Sequence, residues 1–173
     1  MVKRFLLRAV VACLVILSGS FSALAKDEYA LKSSLVLNFI KFIEWPDGSD
    51  GKRFKNDICV IGKSELADYG ELFKAASYSF AIEKNIANIT SHCSILFIGQ
   101  SEDGRLREIL DVLKSHPVLT IADSAEFAER GVMIGFTFSE SKIRFVVNNA
   151  AIKRTKIIMD SGMLEIALKV IDR

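Results

Sequence analysis

Residues 94–113, SILFIGQSEDGRLREILDVL, change hydrophobic period midway. Ser94 to Gly99 is an unbroken apolar run closed by glycine, the pattern of a strand buried on both faces. Beyond Ser101, which stands where a helix cap belongs, Leu106, Ile109, Leu110 and Leu113 trace one helical face. The same grammar recurs upstream in ICVIG (58–62) with Ser64, and downstream in VLTIA (118–122) with Ser124. Strands alternating with helices argue for βαβ crossovers and a parallel sheet.

Working outward, SFAIEKN (79–85) has the weaker pattern of an edge strand, and VMIGFTF (132–138) and KIRFVVN (142–148) read as an antiparallel hairpin. Leu31, Leu35, Phe39 and Phe42 recur at helical spacing from Tyr29 to Glu44, a helix that Trp45-Pro46 should end. Residues 47–57, DGSDGKRFKND, read as a polar, flexible loop. The C-terminal segment reads as a helix capped by Asp160 or Ser161 that buries Leu164, Ala167, Leu168 and Ile171. The expectation is an α/β fold: three α/β/α layers around a mostly parallel sheet of about five to six strands, closed by the hairpin and the terminal helix.

The chain of 173 residues opens with a basic start (Lys3, Arg4, Arg8), a short apolar stretch at 9–17 and the small-x-small triplet Ala23-Leu24-Ala25. That is the pattern of a secretory signal peptide over residues 1–25. The apolar part is short for a bilayer span, so a retained anchor is the weaker reading. Cleavage would remove three of the 23 basic residues and none of the 21 acidic ones, moving the net charge from +2 to −1 (20 basic against 21 acidic). A dispersed, near-neutral balance offers no electrostatic footprint for nucleic acid and no basic patch for a membrane surface. The mature length suits one domain, 26–173.

Export also bears on the thiols. Cys13 lies in the leader, leaving Cys59 and Cys93 in a disulfide-permissive space. If the runs at Ile58 and Ser94 are parallel neighbours, both cysteines fall at the amino end of the sheet within bridging distance, which favours a disulfide over two buried thiols. The chain-entropy model gives such a bridge roughly 3–4 kcal/mol. A Cys93 nucleophile with His92 as base is disfavoured because adjacent residues on a strand point to opposite faces, and a zinc site from both cysteines and both histidines because His92 and Cys93 diverge and the usual x-x spacing is absent.

Other motifs carry less. Gly62-Lys63-Ser64 lacks the upstream glycine of a phosphate loop, which would have to stand at Asp57, and the sequon at Asn88 is a short, common pattern. His116 before Pro117 suits a helix end. Gly62, Gly99 and the serine caps gather at the carboxyl edge, the usual ligand crevice of open α/β sheets, although cap chemistry explains them equally well. Trp45 fits either core packing or an aromatic anchor for a partner.

The ordered motifs FIKFIEWP, ICVIG, HCSILFIGQSE, VLTIADSAEFAERGVMIGF, IRFVVNNAAIKR and MDSGMLEIALKV resemble the YfiR/HmsC family of periplasmic proteins across nearly all of the mature chain. The resemblance implies a non-catalytic regulator; no cofactor and no metal are expected. It would bind the periplasmic domain of an inner-membrane diguanylate cyclase and repress it, lowering cyclic di-GMP and with it biofilm and exopolysaccharide output. The family's paired cysteines map onto Cys59 and Cys93. A second pair near the hairpin, carried by some members, is absent, and Val132 follows Gly131 where the family tends to have a second glycine. Lys41, Trp45, Arg144 and Asn148 stand in matched motifs as candidate partner-binding residues, and a homodimer is a further partner arrangement. The main alternative is a small-molecule sensor that uses the carboxyl-edge crevice and signals to a histidine kinase. An exported hydrolase ranks third, for want of a clustered nucleophile and base.

Overall fold

The computed structural model describes residues 28–46, 57–140 and 142–172. The signal peptide expected at 1–25 and all but the last residue of the loop expected at 47–57 lie outside them.

A helix over 28–40 (α1) leads into a short strand, Ile43–Glu44 (β1). The first central strand follows, Asp57–Ile61 (β2), and then a 3-10 turn and the helix Gly70–Ala75 (α2). Strand Ser79–Glu83 (β3), helix Ile86–His92 (α3) and strand Ile95–Ile98 (β4) come next. A second 3-10 turn enters helix Leu106–Leu113 (α4), followed by strand Leu119–Ala122 (β5) and helix Ala125–Glu129 (α5). The hairpin comprises Ile134–Ser139 (β6) and Lys142–Asn148 (β7). Helix Asn149–Arg154 (α6), strand Ile158–Met159 (β8), helix Ser161–Ile166 (α7) and strand Lys169–Ile171 (β9) complete the chain.

Seven strands form one sheet in the order β3-β2-β4-β5-β6-β7-β9, and β1 pairs with β8 in a separate two-stranded ribbon. From β3 to β6 the pairing is parallel, and β7 runs antiparallel to β6 with Phe136 opposite Phe145. The alternation within each apolar run explains why these strands bury both faces. Ile58, Val60, Ile95, Phe97, Leu119 and Ile121 face α1 and α2, whereas Cys59, Ile61, Leu96, Ile98 and Ala122 face α3, α4 and α5. Three layers result, with SFAIE at the edge as the pattern implied.

Several sequence expectations are corrected: the first helix, expected to run to Glu44, stops at residue 40 and Ile43–Glu44 pairs as a strand, and the sheet has seven strands among the described residues rather than five to six. The C-terminal helix stops at Ile166, Ala167 turns extended, and the last residues add β9 to β7, with Val146 opposite Lys169. This pairing satisfies a ladder that β7 would otherwise leave open. Consequently Leu168 is exposed, and Met163 is the buried residue of α7. In α1 the inward stripe is Lys32, Ser33, Val36, Phe39 and Ile40, while Leu31 and, beyond the helix end, Phe42 are exposed. Finally, Ser101 caps no helix: its Oγ accepts a hydrogen bond from the backbone N–H of Lys63 at 2.7 Å. Ser64 and Ser124 do cap, accepting from the N–H groups of Leu66 and Glu126.

Two glycines shape the edge where β2 and β4 part. Gly62 has φ +82°, a conformation that L side chains rarely adopt, and a Cβ on Gly99 would lie 2.4 Å from the Lys63 carbonyl oxygen. The sheet order reverses between these two strands, so this is the topological switch point.

Candidate functional site

At the carboxyl edge of the sheet, Asp123 follows β5 and is almost entirely enclosed. Its Oδ2 accepts hydrogen bonds from the Tyr29 hydroxyl at 3.0 Å and from Ser64 Oγ at 3.1 Å, and its Oδ1 from Lys32 Nζ at 3.0 Å. Lys32 also pairs with Glu28 at 2.6 Å and lies 4.5 Å from the Tyr29 ring centroid. Burial, reinforced by the adjacent Asp123 carboxylate and the hydrogen bond to it, holds the Tyr29 hydroxyl well above its ordinary pKa. A cavity of about 240 Å³ opens here, lined by Lys63, Gln100, Thr137 and Phe138 as well as the network itself. Lys32 and Asp123 neutralise one another within it, which makes them a latch between α1 and the sheet rather than a free acid–base pair. Sequence reasoning gathered glycines and serines at this edge and missed both charged partners. The signal available was a lysine inside an apolar helical stripe and an aspartate at the end of a buried strand.

Cys59 on β2 and Cys93 just after α3 form a disulfide with Cα atoms 5.8 Å apart. His92 is the last residue of α3 and not part of a strand, so the divergence expected of adjacent strand residues does not apply. Its Nε2 meets Glu83 Oε1 at 2.8 Å, and one ligand atom from each of Cys59, Glu83, His92 and Cys93 lies within 4.8 Å of all the others. The expected divergence of His92 from the cysteines is thereby corrected, because the end of α3 brings its imidazole toward them.

The four candidate partner-binding residues do not share one surface. Lys41 is exposed at the end of α1, where its Nζ donates to Asn38 Oδ1. Trp45 follows β1, half-buried against the core, and its Nε1 donates to the Pro117 carbonyl at 3.1 Å. Arg144 is exposed on β7, on the face opposite Phe145, whose ring packs on Phe39 of α1. Asn148 is buried and serves the fold. Its Nδ2 donates to the Ala128 carbonyl at 2.7 Å, and its Oδ1 accepts from the Ala151 N–H at 2.8 Å.

The sequence reading also passed over the β1–β8 ribbon beside Lys41. Ile43 and Met159 turn inward, while Glu44 pairs with an Ile158 that is 60% exposed. Phe42, whose carbonyl accepts from Asp160 N–H, is 43% exposed. Two bulky apolar side chains thus stand in water on a short ribbon. Among the described residues, no helix is long and apolar enough to cross a membrane.

Similar folds are known. The ABC domain in complex with L-Trp from Streptococcus pneumonia superposes with a TM-score of 0.56 at 10% identity, over 67% of this chain and 55% of that one. A conserved domain protein from Vibrio cholerae O1 biovar El Tor gives a TM-score of 0.51 at 12% identity, over 66% of this chain and 54% of the other. The chain spans about half the length of these structures, and at such identity the likeness is one of fold. The family model described as YfiR/HmsC-like matches residues 29–168, from the first helix through the end of α7, and the chain belongs to that family.

Proposed function

We propose that this protein is a periplasmic regulator that binds the periplasmic part of an inner-membrane diguanylate cyclase and represses it, lowering cyclic di-GMP and biofilm output. The observation that carries this reading is the family match over residues 29–168, in a family that is regulatory rather than catalytic. The structure is compatible with a binding role. The charged pair of the carboxyl-edge crevice is engaged internally, and both ends of the Asn148 amide are used by the fold. The contact surface we favour is the outer face of the β1–β8 ribbon with Lys41 beside it, where Phe42 and Ile158 would be desolvated by a partner. Repression then requires selectivity for one receptor state. Moving a receptor from 1:99 to 99:1 takes about 5.5 kcal/mol of differential affinity.

Affinity capture from detergent-solubilised membranes tests the proposal, using the tagged protein beside a Phe42→Asp/Ile158→Asp variant. The expected result is a membrane diguanylate cyclase retained by the wild type and lost from the variant, with unchanged melting. Failure of the wild type to retain any cyclase contradicts the reading. The crevice supports a second reading, a small-molecule sensor signalling to a histidine kinase, because it lies at the switch point and one structural neighbour was solved in complex with L-Trp. A ligand-dependent rise in melting temperature would favour it.

A further inference from the structure

The disulfide lies inside a cluster of metal-binding chemistry. Cys59 and Cys93 are fully buried, and Glu83 and His92 lie against them at the boundary with solvent, the two side chains 11% and 41% exposed. Their ligand atoms fall within 4.8 Å of one another. Around a tetrahedral zinc ion, with Zn–S about 2.3 Å and Zn–N and Zn–O about 2.0–2.2 Å, ligand atoms stand roughly 3.3–3.8 Å apart. The cluster therefore needs about 1 Å of closure together with separation of the two sulfurs.

We propose that Cys59, Cys93, His92 and Glu83 form a zinc site that is closed in the disulfide form and opened by reduction. Bridged sulfurs are poor donors, and two thiolates are strong ones. A dithiol reductant supplies two electrons and two protons: its own thiols become a disulfide, the Cys59–Cys93 bond breaks, and two thiols remain. Zinc then binds both sulfurs and displaces their two protons to solvent. Two sulfurs with an imidazole nitrogen and a carboxylate oxygen suit Zn²⁺ better than Cu⁺, which selects softer sets. Ser91 Oγ lies 3.2 Å from His92 Nδ1, the hydrogen bond at the second ring nitrogen that commonly orients a ligating histidine. The partly exposed imidazole and the edge strand β3 give the ion a short path in. Reduction would thus exchange one cross-link between β2 and the end of α3 for another that also ties in β3.

Cobalt(II) titration of the mature protein, with and without a phosphine reductant, reads the site through thiolate charge-transfer and tetrahedral ligand-field bands. The expected result is one equivalent bound after reduction, displaced by zinc, and none in the oxidised protein. His92→Gln and Glu83→Gln keep both cysteines and should each weaken cobalt binding at least tenfold, and Ser91→Ala about tenfold. Absence of thiolate bands after reduction, equal binding by the oxidised protein, or wild-type affinity in His92→Gln overturns the proposal. If reduction abolishes the cooperative melt, its return on adding zinc supports the site, and its failure to return refutes it.

Discussion

Replacing Lys32 by methionine removes the ammonium while nearly preserving the volume of the side chain. The structure assigns the loss. Lys32 and Asp123 are 7% and 5% exposed and 3.0 Å apart, so the substitution leaves a carboxylate enclosed without its counter-charge. Breaking a buried pair by removing one partner costs about 3–5 kcal/mol. Tyr29 and Ser64 go on donating to Asp123, and Glu28 is free to turn toward water, which places the expected loss near the lower limit, about 3 kcal/mol. For a chain of this size that corresponds to a fall of roughly 6–12 °C in Tm. Urea unfolding of wild type, Lys32→Met, Asp123→Asn and the double variant closes a cycle. The double variant should lose less than the sum of the singles, because the neutral amide that replaces the Asp123 carboxylate presents no buried charge without a partner. A Lys32→Met protein within about 0.5 kcal/mol of wild type, or strictly additive losses, would refute the latch.

Three further outcomes follow from named contacts. Because burial and Asp123 raise the Tyr29 pKa above 10.0, its neutral form favours the folded state: the stability it contributes is intact below pH 10 and lost as the pH climbs beyond it. Tyr29→Phe should flatten that alkaline decline, as followed by thermal melts across the range. Asn148→Ala removes the cap of α6 and one of the hydrogen bonds to the Ala128 carbonyl, which keeps the Gly131 N–H, and should cost about 1–2 kcal/mol in urea unfolding. Trp45→Ala should lower the Tm as well as any partner binding, since the indole packs on the core and bonds Pro117; an unchanged melt would show a purely external anchor.

The parallel strands were legible because burial on both faces writes an unbroken apolar run, as in ICVIG and SILFIG. The hairpin was legible from its alternation and turn, and the cysteine pairing from strand adjacency and the leader pattern. What escaped were features set by tertiary contact. Periodicity assigned Leu31 to the core and ignored Lys32, because nothing local reveals that Asp123 awaits it ninety-one positions away. The helical pattern of Leu164 to Ile171 was overridden by the open edge of β7. The apolar run after Cys93 draws His92 onto a strand, whereas the helix capped by Asn85 ends at His92 and turns it toward Glu83. Asn148, chosen for its polar tip, is polar for the sake of α6.

The most direct test of the regulatory reading is the cytoplasmic concentration of cyclic di-GMP in cells with and without the gene, with complementation by wild type and by Phe42→Asp/Ile158→Asp. The account predicts a rise on deletion, reversed by the wild type and not by the ribbon variant, even though the variant accumulates to the same level. Cyclic di-GMP that stays unchanged on deletion under several growth conditions would contradict it.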